Sequence, residues 1–140
     1  MKNITSLDEL KLPDRQIGFL REFLRSVGSL KNVKRVILFG SAARGEFRSE
    51  NTYDSEGYIR FRSDLDLMVV GDNICEDDEE IIFGDYGLSL ESWVNNDVMV
   101  RKEKDMVEGI ECFGGLEWRI NRDGIDLTSL ITKEMEGGKI

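Results

Sequence analysis

Two stretches decide the fold: VKRVILFGS at residues 33–41 and SDLDLMVVG at residues 63–71. Each is a run of aliphatic and β-branched residues that ends at a glycine, the pattern of a buried strand closed by a tight turn. We therefore predict strands over 33–39 and 64–70. Strands this apolar need helices to cover them, so the sequence predicts an α/β (α+β) domain with a small mixed β-sheet and helices mostly on one side.

The remaining elements follow from hydrophobic periodicity and turn residues. Outward from the two strands we predict a helix over 13–27, a loop or hairpin over 46–62, a third strand over 88–94, a helix over 97–110, and a hairpin or short helix over 116–130. Length and the absence of a linker or repeat predict one domain over 1–140.

Composition excludes several classes of protein. The net charge of −9 argues against a surface that neutralises nucleic-acid phosphates, so nucleic acid is not the expected substrate. The chain has neither an apolar leader at its start nor a stretch long enough to span a bilayer. Cys75 and Cys112 are isolated and predict no disulfide, which suits a reducing compartment. We expect a cytoplasmic protein without membrane contact.

The sequence contains no histidine. Its absence excludes Ser-His and Cys-His hydrolases and histidine-ligated metal sites together. Chemistry in this chain must use carboxylates, hydroxyls, amines and hard metal ions.

Asp64 and Asp66 open the second predicted strand with one residue between them. Alternate residues of a strand lie about 6.6 Å apart on one face, so the two carboxylates project together while Leu65 and Leu67 enter the core. Two neighbouring anions repel unless a cation lies between them, and Mg²⁺ prefers carboxylate, water and phosphate oxygens. The alternative is that both are solvated acids at the start of a strand.

The turn after the first strand has the residues of a phosphate-binding site. Gly40 permits a sharp turn and close approach of a ligand, and Ser41 adds a hydroxyl donor at the start of a helical turn. Arg44 follows one turn later and could reach the same phosphates. The alternative is an exposed arginine without a ligand.

The sequences LFGSAARGE (38–46) and SDLDLMVV (63–70) resemble the signature of the DNA polymerase beta nucleotidyltransferase superfamily, in particular its minimal, kanamycin nucleotidyltransferase-like or MNT antitoxin-like members. In that family the Gly-Ser turn binds the triphosphate, paired acids hold two Mg²⁺ ions, and a third acid lies on a neighbouring strand. The resemblance implies that Gly40, Ser41 and Arg44 bind nucleotide. It also implies catalytic and metal-binding roles for the acids at positions 64 and 66.

The third acid and the acceptor stay open at this point. Glu91, within LSLES, is the first choice for the third carboxylate, with Asp85 second and Asp126 third. About a dozen extra residues at 47–58 separate the two motifs and depart from the family pattern. The resemblance implies transfer of AMP from ATP to an acceptor hydroxyl, with a HEPN-type helical protein of a toxin–antitoxin pair or a homodimer as the expected partner. An antibiotic or other small molecule is the second choice of acceptor. The alternative is an inactive nucleotide-binding or antitoxin-type partner-binding module.

Overall fold

A five-stranded mixed sheet forms the centre of the protein. The computed structural model describes residues 1–84 and 94–135. The strands in the described part are β1 (Lys2–Asn3), β2 (Val33–Phe39), β3 (Thr52–Tyr53), β4 (Ile59–Arg60), β5 (Leu65–Gly71), β6 (Asn96–Arg101) and β7 (Ile125–Asp126). The sheet order is β1-β7-β2-β5-β6, and β3 pairs with β4 in a separate ribbon.

The two predicted central strands are confirmed, β2 with the predicted bounds and β5 shifted by one residue. They pair antiparallel, and Phe39 at the end of β2 lies opposite Asp66. On its other edge β5 pairs parallel with β6, which places Asp66 beside Asp97. The register therefore brings the Gly-Ser turn that follows β2 and the acids at the start of β5 to the same end of the sheet.

Helices cover both faces of the sheet. They are α1 (Asp14–Gly28), α2 (Gly40–Arg44), α3 (Glu76–Ile82), α4 (Glu103–Ile110), α5 (Leu116–Asp123) and α6 (Thr128–Met135), with a 3₁₀ turn at Leu7–Glu9. The α/β (α+β) prediction is confirmed, with α1 close to the predicted helix.

The expectation of helices on mostly one side is wrong because both faces of β5 are apolar. Leu65 and Leu67 are fully buried in the cluster that contains Phe23 of α1. Met68 faces the other way, into a second cluster with residues of α4 and α5, including Met106. Each fully buried side chain of this size stabilises the fold by about 1.5–3 kcal/mol, so both faces need cover.

The chain after residue 94 differs from the predicted helix over 97–110. Its first part is the strand β6, and the helix α4 begins only at Glu103. Val98 and Val100 alternate with Asp97 and Met99, and this period of two suits a strand beside β5. The predicted strand over 88–94 lies outside the described residues except for Val94. In the tail, the helix alternative holds, since α5 and α6 flank the short β7.

The inserted segment between the two motifs forms the predicted hairpin, β3–β4. Residues 49–62 are all exposed. The backbone N–H of Ser63 donates to the carbonyl of Arg48 at 2.7 Å, and the N–H of Arg48 donates to Ser63 Oγ at 2.9 Å. These two bonds close the insertion at its base, so the hairpin projects from the sheet without entering the core.

Cys75 and Cys112 are free and exposed, so no disulfide forms. Within residues 1–84 and 94–135, no helix combines the length and the apolar character needed to cross a membrane.

Candidate active site

The turn between β2 and α2 is built on Gly40. Its φ angle is 71°, in the left-handed region that favours glycine. A Cβ atom at this position would also collide with Oδ2 of Asp66 on the neighbouring strand. Both the backbone and the neighbour therefore require glycine here, and this close approach joins the Gly-Ser motif to the D-x-D motif.

Three carboxylates belong to residues at the same end of the sheet. Asp66 is half-buried on the face of Met68, Asp97 is its exposed register partner on β6, and Asp64 is exposed just before β5. Burial, together with the charges of Asp97 and Asp64, raises the pKa of Asp66 to about 6, while Arg44 opposes the rise. The ionised form of Asp66 is therefore disfavoured unless a cation neutralises this edge.

The structure suggests a third acid that the sequence analysis missed. Asp97 lies beside Asp66, whereas Glu91 and Asp85, the two preferred candidates, fall outside the described residues. Asp97 was overlooked because residues 97–110 were predicted to form a helix. The signal was present, because DVMV at 97–100 repeats the acid-then-apolar pattern of DLMV at 66–69.

Asp126, the remaining candidate, has a different environment. It lies on β7, opposite Ile37 on the far side of β2 from Asp66. Its Oδ1 accepts hydrogen bonds from the backbone N–H of Thr128 at 2.9 Å and from the Thr128 hydroxyl. Asp126 thus satisfies a donor at the start of α6, a structural role.

The donor set at this edge fits a hard divalent cation. Carboxylate oxygens are the ligands that Mg²⁺ uses, and the pKa of Asp66 is raised first by burial and then by repulsion from Asp97 and Asp64, both of which a bound cation would offset. In the described part of the chain, no three Cys, Asp or Glu side chains are already gathered closely enough to hold a metal ion. Asp64, Asp66 and Asp97 therefore lie at the same end of the sheet, but their carboxylates would have to move closer to one another to share an ion.

A cavity of about 570 Å³ opens beside this edge. Its lining combines both motifs with one face of α5: Phe39, Gly40, Ser41, Arg44, Asp66, Leu116, Arg119, Ile120, Arg122 and Asp123. The structure thus brings together four of the predicted site residues, while Asp64 stands outside the lining and acts on Asp66 through its charge.

Three arginines make the cavity suitable for a phosphorylated ligand. Arg44 pairs with exposed Glu46 at 3.2 Å, and Arg122 pairs with Asp123 at 2.6 Å while lying 5.1 Å over the Trp118 ring. Arg119 is exposed. Arginine binds phosphate oxygens through paired N–H groups. The two arginines of α5 belong to no motif, so sequence reasoning had no signal for them.

The chain is similar in structure to a protein from Sulfolobus solfataricus that is provisionally described as a nucleotidyltransferase. The two share 22% sequence identity, with a TM-score of 0.38, and the match covers 75% of this chain and 81% of the other. No protein-family model and no curated protein matches the chain.

Proposed function

We propose that this chain is a Mg²⁺-dependent nucleotidyltransferase that transfers AMP from ATP to an acceptor hydroxyl and releases pyrophosphate. The observation that carries the proposal is the close approach of Gly40 to Asp66. It places a phosphate-binding turn against Asp66 in one cavity, with Asp97 next to Asp66 on the neighbouring strand, and this arrangement suits phosphoryl-type transfer.

Each residue of the site has a role in this proposal. The turn at Gly40 and Ser41 binds triphosphate oxygens through its N–H groups and the serine hydroxyl, and Arg44 pairs with the same phosphates. Asp64 and Asp66, with Asp97 as third acid, would hold two Mg²⁺ ions. Bound metal supplies positive charge at the phosphate that is attacked and at the leaving pyrophosphate.

The acid at position 97 also suits proton removal from the acceptor. It is exposed beside Asp66, so an incoming hydroxyl can reach it without displacing buried side chains. A carboxylate in hydrogen-bond reach of that hydroxyl can accept its proton as the bond to phosphorus forms.

A partner protein is the acceptor that we favour, either a helical HEPN-type protein or a second copy of this chain. The hairpin that leads into Asp64 supports this choice, because it exposes Tyr53, Tyr58 and Phe61 by 71%, 69% and 64%. Exposed aromatic side chains grouped on one projection are typical of a contact surface.

The proposal is tested with ATP labelled at the α-phosphate, Mg²⁺ and candidate acceptors, including the chain itself. We expect transfer of label by the native protein and loss of at least 100-fold in Asp66→Asn and Asp97→Asn, since charge stabilisation is a large part of such catalysis. Asp105→Asn, an exposed acid on α4, is the matched control and should retain activity.

Two failures have different meanings. Binding of Mg-ATP without transfer to any acceptor would favour the alternative, an inactive nucleotide-binding or antitoxin-type module. If neither ATP nor another nucleoside triphosphate binds, the site has been misassigned and both functions are excluded.

A further inference from the structure

A second, smaller cavity lies at the base of the hairpin, where α1 meets the starts of β5 and β6. Its volume is about 220 Å³, and the described residues that line it are Arg15, Gln16, Ser49, Arg62, Ser63, Val94 and Asn95. This set contains two arginines and no acid. In a chain with a net charge of −9, this lining is a local region of positive charge.

Neither arginine has its charge neutralised within residues 1–84 and 94–135. Arg15, near the start of α1, has no ion pair there. Arg62 is held by a neutral group, since the Asn95 amide, turned with its oxygen toward Arg62, accepts from Nε at 2.8 Å and Nη2 at 3.0 Å. Both side chains are exposed and line one cavity, so both guanidinium groups are accessible to an anion.

Hydrogen-bond donors add to the charge argument. The side chain of Gln16 lines the cavity, and its NH₂ group can donate to an anion. The hydroxyl of Ser63 accepts from Arg48 and still has its own O–H to donate.

We propose that this cavity binds a phosphate group. Two guanidinium groups match the charge of a phosphate dianion, and its oxygens offer acceptors for both arginines, the Gln16 amide group and the Ser63 hydroxyl. The site is separate from the proposed nucleotide site, because the two cavities share no lining residue. Its phosphate is either free or carried by a larger molecule such as the acceptor.

The test uses inorganic phosphate as the probe, in calorimetric titrations of the metal-free protein without nucleotide, with chloride at the same ionic strength as reference. We expect saturable binding that Arg15→Gln weakens roughly tenfold or more, the usual effect of losing one charge-assisted contact. Arg15 has no partner to release, so this variant should fold normally. Lys31→Gln removes one exposed positive charge beyond the far end of α1 and should bind phosphate as the native protein does.

Three further results complete the test. Arg62→Gln should also weaken binding, whereas Arg44→Gln should not. If Arg44→Gln abolishes binding while Arg15→Gln has no effect, phosphate binds at the nucleotide cavity and the proposal is wrong. Titration with glycerol phosphate separates the two sources: binding equal to or tighter than that of inorganic phosphate indicates a carried phosphate group, and weaker binding indicates the free ion.

Discussion

Replacement of Asp66 by asparagine should stabilise the metal-free protein while abolishing transfer. The pKa of Asp66 rises from 3.8 to about 6 through burial and two neighbouring carboxylates. A shift of that size corresponds to at most about 3 kcal/mol of free energy, by which the ionised Asp66 opposes folding. Because the side chain is only half-buried and solvent screens its neighbours, we expect a gain of about 1–2 kcal/mol in the variant.

The gain should depend on pH in a defined direction. The folded state binds the proton more tightly than the unfolded state, so the native protein becomes more stable as pH falls from about 6 toward 4. The gain in stability of Asp66→Asn over the native protein is therefore largest at pH 8 and is lost near pH 4. For a domain of this size, 1–2 kcal/mol corresponds to about 3–8 °C in the melting temperature.

The assay is thermal unfolding of both proteins in EDTA between pH 4 and pH 8, repeated with Mg²⁺ at pH 8. Added Mg²⁺ should stabilise the native protein and have much less effect on the variant. Asp105→Asn serves again as the control for removing one negative charge. An unchanged or lower melting temperature for Asp66→Asn at pH 8, or a gain that persists at pH 4, would refute the electrostatic reasoning.

Two further predictions concern the turn and the insertion. Gly40→Ala should abolish transfer, because the added methyl group forces the Asp66 carboxylate to rotate away. The control is Gly45→Ala, since Gly45 also has a positive φ but has open space around it. This control should cost about 1 kcal/mol of stability in unfolding experiments and retain label transfer. Replacing residues 49–62 by a two-residue turn should leave the melting temperature nearly unchanged, because every residue removed is exposed. A large loss of stability would show that the hairpin supports the sheet.

Sequence reasoning predicted the parts of the molecule that local pattern determines. The strand before Gly40 and the helix α1 have strong periodicity, and the structure matches both closely. The strand at Asp97 was assigned to a helix, because its apolar residues also fit a helical spacing and only pairing with β5 decides between the two. Arg119 and Arg122 reach the cavity through the packing of α5, a tertiary relation that no local spacing encodes.

The two hydrogen bonds between Arg48 and Ser63 separate the length of the inserted segment from the geometry of the site. These bonds hold the two ends of the insertion together, so its length has little effect on how α2 and β5 are positioned. Lengthening a closed loop costs only about 0.6 kcal/mol of loop-closure free energy for each doubling of its length. The hairpin can therefore change in sequence or size while Gly40 remains against Asp66. Under the proposed function, the hairpin can therefore change to suit a different acceptor while the residues that bind the nucleotide stay the same.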